Sequence, residues 1–185
     1  STDNQSITIP TTGSGYNYDV DWEGNGTWET GFTGNASHTY ATAGSYTVKI
    51  RGEFPRIYFN YTGDKTKITD IKQWGTQTWT SMGNAFYGCS NLNCSATDTP
   101  DLSATTVMNS MFENATTFNA DISTWDVSTV SYMRYLFKGA STFNQDLDLW
   151  TVDNVITMKG MLDNATAFNQ DLSNWNIENV TNMQD

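Results

Sequence analysis

A ten-residue block recurs at a fixed interval through the second half of this chain. Phe118-Asn119-Ala120-Asp121-Ile122-Ser123-Thr124-Trp125-Asp126-Val127 returns as Phe143-Asn144-Gln145-Asp146-Leu147-Asp148-Leu149-Trp150-Thr151-Val152. It returns again as Phe168-Asn169-Gln170-Asp171-Leu172-Ser173-Asn174-Trp175-Asn176-Ile177, with a step of 25 residues each time. A period between about 20 and 50 residues marks stacked units, none of which can bury its apolar face alone. The repeat therefore restricts the architecture more than composition does.

The register extends upstream. With Met133 as origin, Met158 and Met183 lie ahead, and Met108 and Met82 behind. Trp74 precedes Met82 by the same interval as Trp125 precedes Met133, which starts the array near residue 64. The block between Met82 and Met108 is one residue longer, and Pro100 takes its tryptophan slot. Such a degenerate unit is expected near the end of an array, where one face lacks a neighbour.

Four apolar columns run through the blocks: Ala115, Ala140 and Ala165; Phe118, Phe143 and Phe168; Ile122, Leu147 and Leu172; Val130, Val155 and Val180. Asp-Leu-x-x-Trp reads as a short strand. Val-x-x-Met-x-x-Met-Phe, with apolar spacings of three and four, reads as a short helix or 3₁₀ turn.

The first 60 or so residues read as β. Tyr16, Tyr18, Val20 and Trp22 alternate with Asn17, Asp19, Asp21 and Glu23, the period of a half-buried strand. Ser45 to Arg51 alternates again, with Tyr46, Val48 and Ile50 expected inward. Arg56 to Tyr61 is a further candidate strand behind Pro55. Short strands between glycine-rich turns predict a small sandwich.

Asp and Glu number 20 against 9 Lys and Arg, a net charge of −11. That balance argues against nucleic acid, whose phosphates need a basic footprint. It argues equally against insertion at an anionic membrane surface. Basic partner surfaces and cations fit it.

Candidate sites follow from the columns. Asp121, Asp146 and Asp171 stack like charges, so each needs compensation. Either each carboxylate caps backbone N–H groups at its turn, or calcium sits between blocks. Asn119, Asn144 and Asn169 would form a ladder beside them. Trp125, Trp150 and Trp175 join Phe118, Phe143 and Phe168 as core, or form an aromatic platform for sugars. Trp22, Trp28 and Trp79 are further sugar candidates if exposed. Asp19, Asp21 and Glu23 resemble the start of a calcium loop, but Thr30 occupies the position of its bidentate acid. Cys89 and Cys94 are either a small disulfide or two thiols. His38 is the only histidine, and no nucleophile elbow or phosphate loop appears. No enzyme and no obligatory cofactor are expected, calcium aside.

Two resemblances add to this. Val20-Asp21-Trp22 before a glycine turn, then His38-Thr39-Tyr40-Ala41-Thr42-Ala43-Gly44-Ser45-Tyr46-Thr47-Val48, resembles a PKD-like immunoglobulin-type domain. That family reads Trp-Gly-Asp-Gly where this chain has Trp22-Glu23-Gly24-Asn25-Gly26. The repeats, with Asn84-Ala85-Phe86-Tyr87-Gly88-Cys89-Ser90-Asn91-Leu92 upstream, resemble the bacterial BspA-like leucine-rich repeat surface proteins. The expected fold is a β-rich two-part chain. A PKD/Ig-like β-sandwich (residues 1–62) precedes a leucine-rich-repeat-type solenoid with short strands and short helical turns (63–185). The repeat resemblance implies an extracellular or cell-surface adhesion or protein-binding module, bacterial in type and monomeric as it stands. Its ligand would be an unknown protein or glycan. A carbohydrate-binding module using exposed aromatics, or a structural spacer in a larger adhesin, are the alternatives. The opening at Ser1-Thr2-Asp3-Asn4 and the stop at Asp185 inside a block suggest a longer parent chain.

Overall fold

A computed structural model describes residues 5–184. The two terminal stretches from which a longer parent was expected, 1–4 and 185, lie outside the described residues. The N-terminal part holds β1 (Ser6–Ile9), β2 (Asn17–Asp21), β3 (Glu29–Phe32), β4 (Ala36–Thr39) and β5 (Lys49–Glu53). β1 pairs antiparallel with β4, and β2 lies between β3 and β5, antiparallel to both. Tyr16, Tyr18, Val20 and Trp22 are buried, as their alternation implies, while Asn17 and Glu23 face water. Asp21 departs from the pattern and is fully buried.

Of the second expected alternation only Val48 packs against the core, while Tyr46 and Ile50 are exposed. β5 starts at Lys49, and all five of its residues are exposed. It is an outer strand of a three-stranded sheet, and Ile50 is exposed there. Tyr46 is also exposed, yet its ring stacks on Tyr40 at 3.8 Å. The candidate strand at Arg56–Tyr61 does not form either. Asn60 and Tyr61 adopt φ of 46° and 61°, left-handed values that end an extended run. Phe59 and Tyr61 instead donate their N–H groups to the Ala85 and Tyr87 carbonyls, laying this segment against the first repeat.

The expected leucine-rich-repeat solenoid with helical turns is likewise corrected. The described residues contain no helix, and the repeat region has only β6 (Asp70–Ile71) and β7 (Asn93–Cys94), paired in parallel. Beyond them the strands shrink to single parallel bridges, Val107 to Tyr132, Tyr132 to Thr157 and Thr157 to Asn182. The N-terminal part is two small sheets of two and three strands rather than a full sandwich.

The backbone explains why no helix forms. Met108, Ser110, Phe112 and Asn114 donate their N–H groups forward to the carbonyls of Tyr132, Arg134, Leu136 and Lys138, at 2.7–2.9 Å. Those same amides would have to bond four residues back to build a helix. The amides that alternate with them close four-residue turns, as Met111 does on Met108, Glu113 on Ser110 and Ala115 on Phe112. Ser110 and Asn114, at φ of 54° and 56°, interrupt any helical run. The same two slots are left-handed at Tyr135 and Gly139, and at Gly160 and Asn164.

The two middle blocks each add two phenylalanines to a continuous stack, and the outer ones add Phe86 with Leu92 and Phe168 with Leu162. Phe112 lies 4.0 Å from Phe118 within its block and 5.8 Å from Phe137 in the next. Phe118, Phe143 and Phe168 follow one another at 6.1 and 6.0 Å. The Ala, Phe, Ile/Leu and Val columns are buried through Ala165, and Phe168, Leu172 and Val180 of the last block are partly covered. One buried cluster runs from Ile9 through the sheets and the stack to Met161.

Candidate functional site

The regular spacing of polar residues along the stack resolves into backbone braces. Asp121 accepts the N–H of Ser123 at 2.9 Å, Asp146 that of Asp148 at 2.8 Å, and Asp171 that of Ser173 at 2.9 Å. Each is a local turn two residues long. The Ser123 N–H and hydroxyl hold the Asp121 carboxyl below the usual range, and Ser173 does the same for Asp171. All three stay exposed, so water screens their mutual repulsion.

The asparagines bridge blocks. The Asn119 side-chain oxygen accepts the Asn144 N–H at 2.8 Å, and that of Asn144 accepts the Asn169 N–H at 2.8 Å. Gln145 and Gln170 add their amide groups to the same oxygens at 3.0 Å. A second column alternates in charge. Lys138 sits between Glu113 and Asp163 and pairs with Asp163 at 2.7 Å.

Phe118, Phe143, Trp125 and Trp150 are buried, whereas Phe168 and Trp175 are only partly so. The tryptophan column is also a column of hydrogen bonds. The Trp150 indole N–H donates to Ile122 O at 3.0 Å, and that of Trp175 to Leu147 O at 2.9 Å. Both bonds reach back 28 residues. The same reach of 28 residues from Trp125 gives Thr97, but no such bond forms among the described residues. The degenerate block is the reason. Pro100 replaces the intervening tryptophan, and Trp74 and Trp125 close over it edge to face at 5.2 Å. Beside them opens a hollow of about 200 Å³, walled by Trp74, Thr97, Asp98, Asp121 and Trp125. A second hollow of about 280 Å³ lies on the other side of Trp125, toward Leu149 and Thr151.

The three N-terminal acids do not converge. Asp19 pairs with Arg51 at 3.0 Å, and Glu23 accepts from the Asn25 amide at 2.9 Å. Asp21 accepts the N–H groups of Asn25 and Gly26 at 3.2 and 2.8 Å, which closes the Gly24-Asn25-Gly26 turn. Burial works to raise its pKa, but the Gly26, Asn25 and Gly24 N–H groups outweigh that and lower it. Among the described residues no three His, Cys, Asp or Glu side chains gather as metal ligands.

Cys89 and Cys94 are free thiols in this structure. Burial pushes the Cys89 thiol up to about 12, and Cys94 is raised by the same cause. His38 stacks on Trp22 at 5.1 Å and lies 3.9 Å from Glu29. Trp22 and Trp79 are buried, and Trp28 is half-buried beneath the Arg51 guanidinium. Two features escape a reading of the columns: the open Trp125 N–H and the buried Asp21. The first had a signal, since Pro100 interrupts the tryptophans.

The fold and these braces define a repeat protein whose blocks hold one another through equivalent side chains. The family described as Mycoplasma protein of unknown function, DUF285, matches residues 56–99 and 80–185, together the last 130 of the 185 residues. The chain belongs to this family, in agreement with the BspA-like surface-repeat resemblance of its blocks. The match leaves residues 1–55 outside it. No curated protein and no solved structure matches the chain. No helix among the described residues is long and apolar enough to cross a membrane.

Proposed function

We propose that this chain is a non-catalytic binding module of an extracellular or cell-surface protein, and that its stack engages a partner protein through a basic patch. One observation carries the reading. Asp121, Asp146 and Asp171 stand exposed at equal intervals on a backbone that their own braces make rigid. A fixed row of carboxylates is preorganised, so little ordering cost falls on binding. Complementary charge would steer the encounter and set register more than it adds affinity.

The test is surface plasmon resonance against an array of extracellular proteins at low and high salt. A saturable partner is expected whose association rate falls with salt. The triple change Asp121→Asn, Asp146→Asn and Asp171→Asn keeps a side-chain oxygen to accept each brace and removes the charge, so it should slow association without unfolding the stack. Binding unaffected by both salt and the triple change would remove this reading. A chain that captures neither protein nor sugar would be a spacer. A carbohydrate reading is favoured by a different feature, the hollows at Trp125.

A further inference from the structure

The repeat is broken at one point, and the break leaves polar groups open. Thr97 lies 25 residues before Ile122, and Pro100 lies 25 before Trp125, so this layer lacks the large side chains found in the regular blocks. The hollows on either side of Trp125, about 200 and 280 Å³, meet at Thr124 and Trp125. Trp125 is 95% buried, being 5% exposed, yet its indole N–H has no acceptor and is not sealed from water as that of Trp74 is. Its two counterparts aim the same group at the preceding block, which for Trp125 is the block that puts Ala96 and Thr97 on the hollow's wall.

The walls present mixed chemistry. The indole N–H can only donate, and the Asp121 and Asp126 carboxylates can only accept. The hydroxyls of Thr97, Thr99 and Thr124 can do both, and none is engaged by another described residue. Leu149, 73% exposed, adds an apolar rim to the larger hollow. A guanidinium or ammonium has no lone pair for the indole N–H. An anion meets three carboxylates, those of Asp98, Asp121 and Asp126, and a chain of net charge −11. A sugar hydroxyl donates and accepts at once, and the C–H face of a sugar ring packs on an apolar side chain. Both hollows fall below the roughly 300–1,000 Å³ of drug-sized pockets, a size that suits single rings.

We propose that the paired hollows bind a neutral glycan, one sugar ring on each side of Trp125, with the indole N–H donating to a glycan oxygen in the smaller hollow. This rests on the binding-module reading and names a second ligand class for it.

The test uses the whole chain labelled with ¹⁵N-tryptophan. The Trp125 indole signal is assigned by its loss in Trp125→Phe. Cellotetraose, maltotetraose, xylotetraose and chitotetraose are titrated separately to millimolar concentration, with a sialylated oligosaccharide as the anionic control. At least one neutral sugar should move the Trp125 signal saturably. Thr124→Lys, an exposed change at the junction of both hollows, should weaken that binding about tenfold or more, ~1.4 kcal/mol. No saturable shift with any neutral sugar overturns the proposal and leaves water as the occupant. A shift that survives Thr124→Lys, or that prefers the sialylated control, overturns it too. If sugars fail while the salt-sensitive protein partner is found, the glycan site alone falls. If the sugar binds and is cleaved, the site stands and the non-catalytic reading falls.

Discussion

β2 and a repeat block are both short and aromatic, but they satisfy their backbones differently. β2 is held between β3 and β5, two antiparallel strands, and its Tyr18 and the preceding Tyr16 pack edge to face with Phe54 at 4.9 and 5.7 Å. A block sends alternate amides forward to the same slots of the next block, and its phenylalanines stack nearly parallel, Phe112 on Phe137 at an interplanar 7°. The sheets depend on particular partners. The stack depends on repetition, because each residue meets its own equivalent. A lesion in the sheets should therefore stay local to a pairing, while one in the stack should pass to both neighbours.

Phe137→Ala tests this most severely. Phe137 is fully buried and touches Phe112, Phe143 and Trp150. Its truncation should cost about 3–5 kcal/mol, read as a lower midpoint in urea unfolding. Hydrogen exchange should show the amides of Met108 to Asn114 losing protection while those of β2 keep theirs. Gly52→Ala is the mirror experiment. Gly52 has φ of 96°, and a Cβ there would meet Asn17 O at 2.6 Å. The change should cost upward of about 1 kcal/mol and expose the β2–β5 amides alone. If either variant lowers protection everywhere alike, sheets and stack form one cooperative unit and the contrast fails.

Asn144→Ala removes an acceptor for the Asn169 N–H at 2.8 Å. A loss of about 0.5–1.5 kcal/mol is expected, confined to the last block. Acid should then separate the regions by their carboxylates. Asp101, Asp121, Asp126 and Asp171 in the stack, and Asp21 in the sheets, all have folded pKa values below 3.8. A depressed folded value gives stability that is complete above the unfolded pKa and lost as pH falls through the folded one. Stability should hold near neutrality and decline below about pH 4; a melting temperature flat to pH 2 would rule out the braces as contributors. The smallest effect belongs to Lys138→Ala. Its pair with Asp163 is partly exposed, so salt should abolish most of what little it adds.

The site was legible where the repeat was regular. Asp121 and Asn119 could be assigned turn and ladder chemistry because short polar side chains at fixed spacing serve few other ends. The forward donation of Ser110 and Phe112 was hidden, because apolar spacings of three and four suit a helix as well as a turn with left-handed residues. Gly88, Asn114, Gly139 and Asn164 share one slot at φ of 56–78°, and that alternation of glycine and asparagine was the missed signal. Tyr46 and Ile50 alternated correctly for a covered strand, but alternation does not say whether a second layer exists.

Sequence alone determined the 25-residue period, the composition of the stacked columns and the slot where Pro100 breaks them. Those are properties of identity and spacing, which need no coordinates. Tertiary structure decided which backbone amides turn to the next block, that Asp21 is buried in its own turn, and that Trp125 is left with an open N–H. Each depends on where a partner atom lies in space. The 28-residue reach of the tryptophan bonds exists only once the blocks are stacked, so their failure at Thr97 could be seen only there.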